Sequence, residues 1–428
     1  MKRLVLSLVC LASAPIALLA QTVVPDGAQI QINSITTATQ SLPDIATTSN
    51  GDFVVVWDSS NGVAYNGTTL GQIVAADGSP GGSDFQVVGP SAGYFNSNPA
   101  IDLGPSDGMV VVWELVGVIG TVGLQGQLLD AGGSTVGDVF QIDGPPASSA
   151  FVNAQVDVAV APAGDFLVVW SDTSSTGSDS SSKSIQGRRF DAAGTAIGDA
   201  FQINTTTTGS QDDPKVETRA DGGFLVVWDS FTGGILGQRL DAMGGEVGGE
   251  LQISTTTTAP SVPDLARVGD GSFVAVWRSS NNRILGQRLA SDGSHLGSEF
   301  EASTSTATSQ TTPVVAGGSA GSFLVVWGST PLAKGATTDT TVLGRFFAAD
   351  ATPVGRDFQV DQFGSAAKTD FAVGGNADGQ TLAAWASADS IGDDNDSESI
   401  QGQRLRTILF SDGFDDGTID AWTTSSGF

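Results

Sequence analysis

The chain has 428 residues, 40% of them hydrophobic and only 15% charged, with 56 glycines and a formal net charge of −28. That composition suits many short strands joined by turns rather than helices. A surplus of acid on this scale excludes nucleic acid and anionic membranes as partners.

Residues 1–20 read as a secretory signal. Lys2 and Arg3 precede an apolar run from Leu4 to Leu19, and Leu18-Leu-Ala20 offers a cleavage site before Gln21. Cleavage leaves 16 basic against 46 acidic residues, or about −30, and removes Cys10, the only cysteine. The mature chain then has no disulfide, and packing alone must hold the fold. No later segment is long and apolar enough to span a bilayer as a helix. A secreted monomer, extracellular or at the cell surface, is expected, with the periplasm as the alternative.

The stretch Ala28-Gln-Ile-Gln-Ile-Asn33 matches Phe201-Gln-Ile-Asn204 further along. One phrase then occurs seven times: Phe53-Val-Val-Val-Trp57, Met109-Val-Val-Val-Trp113, Phe166-Leu-Val-Val-Trp170, Phe224-Leu-Val-Val-Trp228, Phe273-Val-Ala-Val-Trp277, Phe323-Leu-Val-Val-Trp327 and Thr381-Leu-Ala-Ala-Trp385. The tryptophans lie 56, 57, 58, 49, 50 and 58 residues apart. The fourth copy shows the pattern of one repeat. A short strand, Pro214 to Arg219, has Val216 between polar neighbours, and Ala220-Asp-Gly-Gly223 turns the chain. Phe224 to Trp228 is apolar throughout, as for a strand buried on both faces. Ile235 to Leu240 and Glu250 to Ile253 supply a third and a fourth strand.

Four antiparallel strands in about fifty residues, seven times, specify an all-β, seven-bladed β-propeller over residues 28–406. The seventh repeat has a third strand, Ile400 to Leu405, but no fourth. Residues 28–33 are expected to supply it and close the ring, removing two exposed edges.

In the fourth and fifth repeats Trp228 and Gly237, and Trp277 and Gly286, are nine residues apart. Two-residue turns at Thr232-Gly233 and Asn281-Asn282 would place each Trp opposite its Gly. The ring is then expected to cover the bare glycine backbone; Gly71, Gly126, Gly187, Gly344 and Gly402 are the equivalents. Gln238-Arg239, Gln287-Arg288, Gln403-Arg404 and Arg188-Arg189 recur on the third strand, with Asp229, Asp241 and Asp191 as expected ion-pair partners.

The turns after first and third strands are short and alike. The loops after each Trp are not: from Trp to Gly the separations are 14, 13, 17, 9, 9, 17 and 17. Loops 171–184, 328–341 and 386–399 are therefore the candidate ligand-binding segments. In the last, Asp393, Asp394, Asp396 and Glu398 are candidate ligands for Ca²⁺, because carboxylates at every second residue let a curled loop collect oxygens. No other cofactor is indicated. A second candidate is the ring's central channel. Asp44, Asp157, Lys215 and Asp264 occupy one position of the first strand, with Asp102 and Glu217 two residues on. The residue between is apolar, read as Ile45, Ile101, Val158, Val216, Leu265, Val315 and Ala372. Were the protein an enzyme, Asp44, Asp157, Asp264 and Glu217 would be its acid and base.

The motif Gly-x-Phe-x-Val-Val-Trp, followed by Gly-Gln-Arg-x-Asp-Ala-x-Gly and Phe-Gln-Ile-Asn, resembles the tandem propeller repeats of secreted bacterial surface proteins. The resemblance covers residues 28–406 and implies the fold without implying a reaction. The tail 407–428, with Asp412-Gly-Phe-Asp-Asp-Gly417 and Trp422, resembles short C-terminal tails of exported bacterial proteins, which implies sorting or anchoring. A sialidase pattern is not met: the turns lack Thr-Trp, and Tyr65 and Tyr94 are the only tyrosines. The expected function is non-enzymatic binding or adhesion, with an extracellular protein or glycan held on the variable loops. The alternative is a glycosidase or polysaccharide lyase using the channel carboxylates.

Overall fold

The computed structural model describes residues 21–60, 67–90, 94–117, 120–143, 155–173, 176–255, 260–304, 308–331, 339–362, 367–376, 379–388, 391–392 and 398–409. Among them are seven antiparallel sheets, six of four consecutive strands and one that joins the two ends of the chain. The fourth blade is Gln211–Thr218, Phe224–Ser230, Gly234–Leu240 and Leu251–Gln252, paired in that order. The expected seven-bladed propeller is the observed fold.

Apolar second strands explain the ring. Phe224 to Trp228 is buried on both sides because each blade is packed between two neighbours. Core side chains gather into seven clusters, one at each blade-to-blade seam. Each cluster holds one fully buried tryptophan. Trp57 packs against blade seven through Ala384 and Ile400, and Trp113 packs against blade one through Val54 and Val56. Removing one such ring would cost about 3–5 kcal/mol.

The register of the hairpins differs by one residue from the spacing argument. Gly237 pairs with Val227, and Trp228 pairs with Leu236. In every blade the glycine lies opposite the residue before the Trp: Val56, Val112, Val169, Val227, Val276, Val326 and Ala384. The reason is a three-residue loop where two were expected. Ser230 pairs with Gly234 across Phe231-Thr-Gly233. In blade five Ser279 and Arg283 close Ser280-Asn-Asn282, with Asn282 left-handed at φ 57°. Successive side chains alternate between faces, so Trp and Gly lie on opposite faces of the blade. An outer-strand side chain covers the glycine instead. Phe85, Phe140, Phe201, Phe300 and Phe358 pair directly with Gly71, Gly126, Gly187, Gly286 and Gly344, and their rings lie over the bare backbone. Ile253 and Ile32 approach Gly237 and Gly402.

Closure involves more of the N-terminus than the sequence suggested. Ile30–Gln31 pairs with Gly402 and Gln401, as expected. Gln21–Pro25 adds a further antiparallel stretch, from Gln21 opposite Leu409 to Pro25 opposite Leu405. The outer position of blade seven is thus filled by two short strands from the start of the chain. No described helix is long and apolar enough to cross a membrane.

Candidate functional site

The first strand of every blade lines a central channel of about 500 Å³. These are edge strands, so their inward N–H groups have no further strand to pair with. Carboxylates from the adjacent blade accept them. Asp44 takes the Ile101 N–H at 2.9 Å, and Asp102 takes Val160 at 2.7 Å. Asp157 takes Val216 and Asp264 takes Val315, each at 2.7 Å. Glu217 accepts from the Arg267 backbone, Asp213 from Val262 and Asp370 from Leu42. The candidate acids and bases Asp44, Asp157, Glu217 and Asp264 therefore bridge seams one to two, three to four, four to five and five to six; Asp102 bridges two to three, and Asp370, which the alignment did not single out, bridges seven to one. The aligned position is Ala100 in blade two, Val314 in blade six and Ala372 in blade seven. Ala372 pairs with Ala384 as Asp44 does with Val56, so the intervening apolar residue in blade seven is Val373.

Burial dominates the electrostatics of this ring. It pushes Asp157 up to about 7, Asp102 to about 6 and Glu217 to about 8, and raises Asp44 and Asp264. Lys215, 3.9 Å from Asp157, opposes the rise in Asp44, Asp157 and Asp264. Burial disfavours its own charge, but Asp157, Asp264 and Asp44 together hold its ammonium above the usual lysine range.

The inner strand of blade six, Thr308–Gly317, carries no carboxylate to bridge to blade seven, and a buried ion pair lies further out at that seam. The Lys368 ammonium is 3.2 Å from Asp361, with both side chains at most 2% exposed. Lys368 stands seventeen residues before Trp385, where Gln40 and Gln211 stand before Trp57 and Trp228 and accept the indole N–H.

The two faces of the ring differ as expected. On one, the turns after first and third strands repeat a single hydrogen-bond pattern. Ala161 and Asp165, Arg219 and Gly223, Asp191 and Thr195, and Asp241 and Gly245 each close a three-residue loop. The recurring glycine is left-handed there, as at Gly164 (φ 94°) and Gly244 (φ 82°). The acids of these turns serve the backbone. Asp191 and Asp241 accept turn N–H groups at 2.8–3.0 Å and make no described pair with arginine. The third-strand arginines pair elsewhere: Arg189 with Asp165, Arg288 with Asp270 and Arg404 with Asp26.

The opposite face collects the variable loops and the links between blades. Loop 171–184 reaches from blade three onto the first strand of blade four and the link that leads to it. The Ser171 hydroxyl and the Lys183 ammonium reach Asp212 at 2.7 and 2.8 Å, and Asp179 accepts from Asn204 at 2.9 Å. In loop 328–341 residues 332–338 lie outside the described residues. In loop 386–399 so do 389–390 and 393–397, which include Asp393, Asp394 and Asp396. Glu398 is described, and its carboxyl is raised by partial burial and by Asp370.

Around the channel mouth on this face, Asp58 accepts from Ser41 and Ser97 at 2.8 and 3.1 Å, and burial pushes it up to about 7. Burial likewise raises Asp229, the cross-strand partner of Asp212, to about 7. Among the described residues, Ile35, Tyr94, Phe231 and Ile391 are the large apolar side chains exposed here, Phe231 by 73%. Sequence reasoning missed a further feature of the mouth. The residue fifteen before each Trp has positive φ in all seven blades: Leu42, Asn98, Gln155, Asp213, Val262, Thr312 and Asp370. It sits in a register shift of the inner strand in six described blades. A signal was available, since proline follows it at 43, 99, 214, 263 and 313.

No family model and no curated protein matches the chain. Solved structures match it at the level of fold. A protein of unknown function from Dyadobacter fermentans aligns over 90% of this chain and 99% of its own, with a TM-score of 0.55 and 11% identity. A fungal alcohol oxidase of the AA5 family, in complex with copper, gives 0.54 and 11% over 91% and 76%. The K499G mutant of the NanB sialidase from Streptococcus pneumoniae gives 0.50 and 10% over 92% and 71%. At such identities the chain shares their propeller architecture, and the resemblance extends no further.

Proposed function

We propose that this is an exported, non-enzymatic propeller that binds an extracellular glycan or protein on its variable face. The observation behind this reading is the asymmetry of the ring. One face repeats a single turn geometry, while the other gathers unequal loops, exposed Phe231 and Tyr94, and the carboxylates of the mouth. Aromatic faces stack on sugar rings or apolar side chains, and carboxylates accept from hydroxyl or ammonium groups. Export rests on the leader of residues 1–20, and attachment rests on the tail. The test is a screen of the purified mature chain against immobilised glycans and basic peptides. Binding lost on Phe231→Ala and kept on Met243→Ala would support the reading. Binding insensitive to Phe231, Tyr94 and the three loops would overturn it.

The enzyme reading is favoured by carboxyls raised into the range a general acid needs, such as Asp157 and Glu217. Their commitment to neighbouring backbone N–H groups favours binding instead. Polysaccharide cleavage abolished by Asp157→Asn or Asp264→Asn would reverse this preference. Calcium at the 386–399 loop is a separate proposal. A calcium-dependent rise in melting temperature, removed by Asp394→Asn with Asp396→Asn, supports it, and no rise refutes it.

A further inference from the structure

We infer that the uniform-turn face is the attachment side of the ring and that the variable face is turned away from whatever holds the protein. Blade seven differs from the others in the path of its chain. Its second strand, Gln380–Ser387, runs toward the variable face. Its third strand, Ser399–Leu409, returns toward the uniform face. In the other blades a third strand ends near the residue equivalent to Leu405 and turns at once, as Leu240 does into Asp241. Here there is no turn. The strand continues through Leu409, and Gln21–Pro25 continues beside it, residue against residue.

The four residues past Leu405 extend about 13 Å at the rise of a β-strand. The result is a two-stranded ribbon on the uniform side that contains both the entry and the exit of the chain. Its strands are antiparallel and paired from end to end, so the two ends are held together and on the same side. Gln21 and Leu409 therefore both stand on the uniform side of the ring. The variable loops, on the far side of every blade, stay open to solvent.

This deepens the binding reading, because it leaves the proposed ligand face unobstructed when the tail is attached to a surface. Among the described residues, the two faces each present one strongly exposed apolar residue. Phe231 is 73% exposed in a loop of the variable face, and Met243 is 84% exposed in a turn of the uniform face. Neither contributes to the core, and the mature chain has no cysteine of its own. Phe231→Cys and Met243→Cys therefore make clean reporters in the mature protein.

The experiment compares labelling by a bulky, membrane-impermeant maleimide on intact producing cells and on the protein released from them. The expected result is equal labelling of Phe231→Cys in both states. Met243→Cys should label severalfold more slowly on cells and at the Phe231→Cys rate after release. Equal rates on cells, the reverse order, or protein found only in the medium would each overturn the inference. No ligand enters the measurement, so its failure is distinct from failure of the binding reading.

Discussion

Replacing Gly286 by Ala places a methyl group against the ring of Phe300, inside normal contact distance, and 3.0 Å from the Ala275 carbonyl oxygen. The ring has little room to yield. It is wedged against Phe323 and Phe347 of the next blade, with centroids 5.5 and 5.0 Å away. Overpacking of this kind costs about 2–3 kcal/mol. Phe300→Ala alone should cost about 2–3 kcal/mol, below the range for a fully buried Phe because its ring is partly open to solvent. In the double variant the clash with the ring is gone and only the carbonyl contact persists. The two changes should then fall short of additivity by about 1–2 kcal/mol. Gly286→Ala combined with Trp277→Phe, on the opposite face of the same hairpin, should add to within about 0.5 kcal/mol. Urea unfolding followed by tryptophan fluorescence gives all the values required. Stronger coupling of Gly286 to Trp277 than to Phe300 would refute the register and the packing argument built on it.

The channel makes a prediction about pH. Asp102, Asp157 and Glu217 have folded-state values near 6, 7 and 8, above those of the unfolded chain. Their effect on stability is most favourable below about pH 4 and declines as pH rises through 6 to 8. Melting temperature should therefore fall between pH 5 and pH 8.5, and Asp102→Asn should flatten the decline; a rise over that window would contradict it. At the six–seven seam, Lys368→Met leaves the buried Asp361 without its counter-ion, holding only the Val342 N–H, and should cost about 3–5 kcal/mol. Lys368→Gln with Asp361→Asn should recover most of that loss in thermal melts, because Gln40 and Gln211 hold the first position in other blades and Asn33 and Asn204, which accept a third-strand N–H as Asp361 does, hold the second. Deleting residues 21–33 should lower the melting temperature of the whole ring, because it opens blade seven and exposes the third strand as an edge. An unchanged single transition would argue against closure by the N-terminus.

The architecture was legible because its signal is redundant. Seven copies of an apolar run ending in Trp, with four strands between, leave few alternatives. Register was not legible. Nine residues between Trp228 and Gly237 admit a loop of two or three, and the two differ by one residue and one face. The left-handed backbone of Asn282 decides the matter in blade five, and residue spacing does not encode it. Asp44, Asp102, Asp157, Asp264 and Glu217 were found by alignment on the Trp, Asp213 and Asp370 were not, and the task of none of them was read. Their partner is a backbone N–H on the next blade, a group every residue except proline carries and no motif marks. The variable loops could be located but not read, because nothing repeats in them to compare.

The left-handed residue at the channel mouth has a consequence for how such a ring can diversify. Asn98, Asp213 and Asp370 adopt that backbone at little cost, whereas Val262 and Thr312 are poor candidates for it. The ring imposes the same kink on all of them. Shape at the mouth is thus fixed by closure, and the chemical character of each of the seven positions is free to drift. The opening works as a frame with interchangeable panes: a new side chain can be set into it without moving the frame.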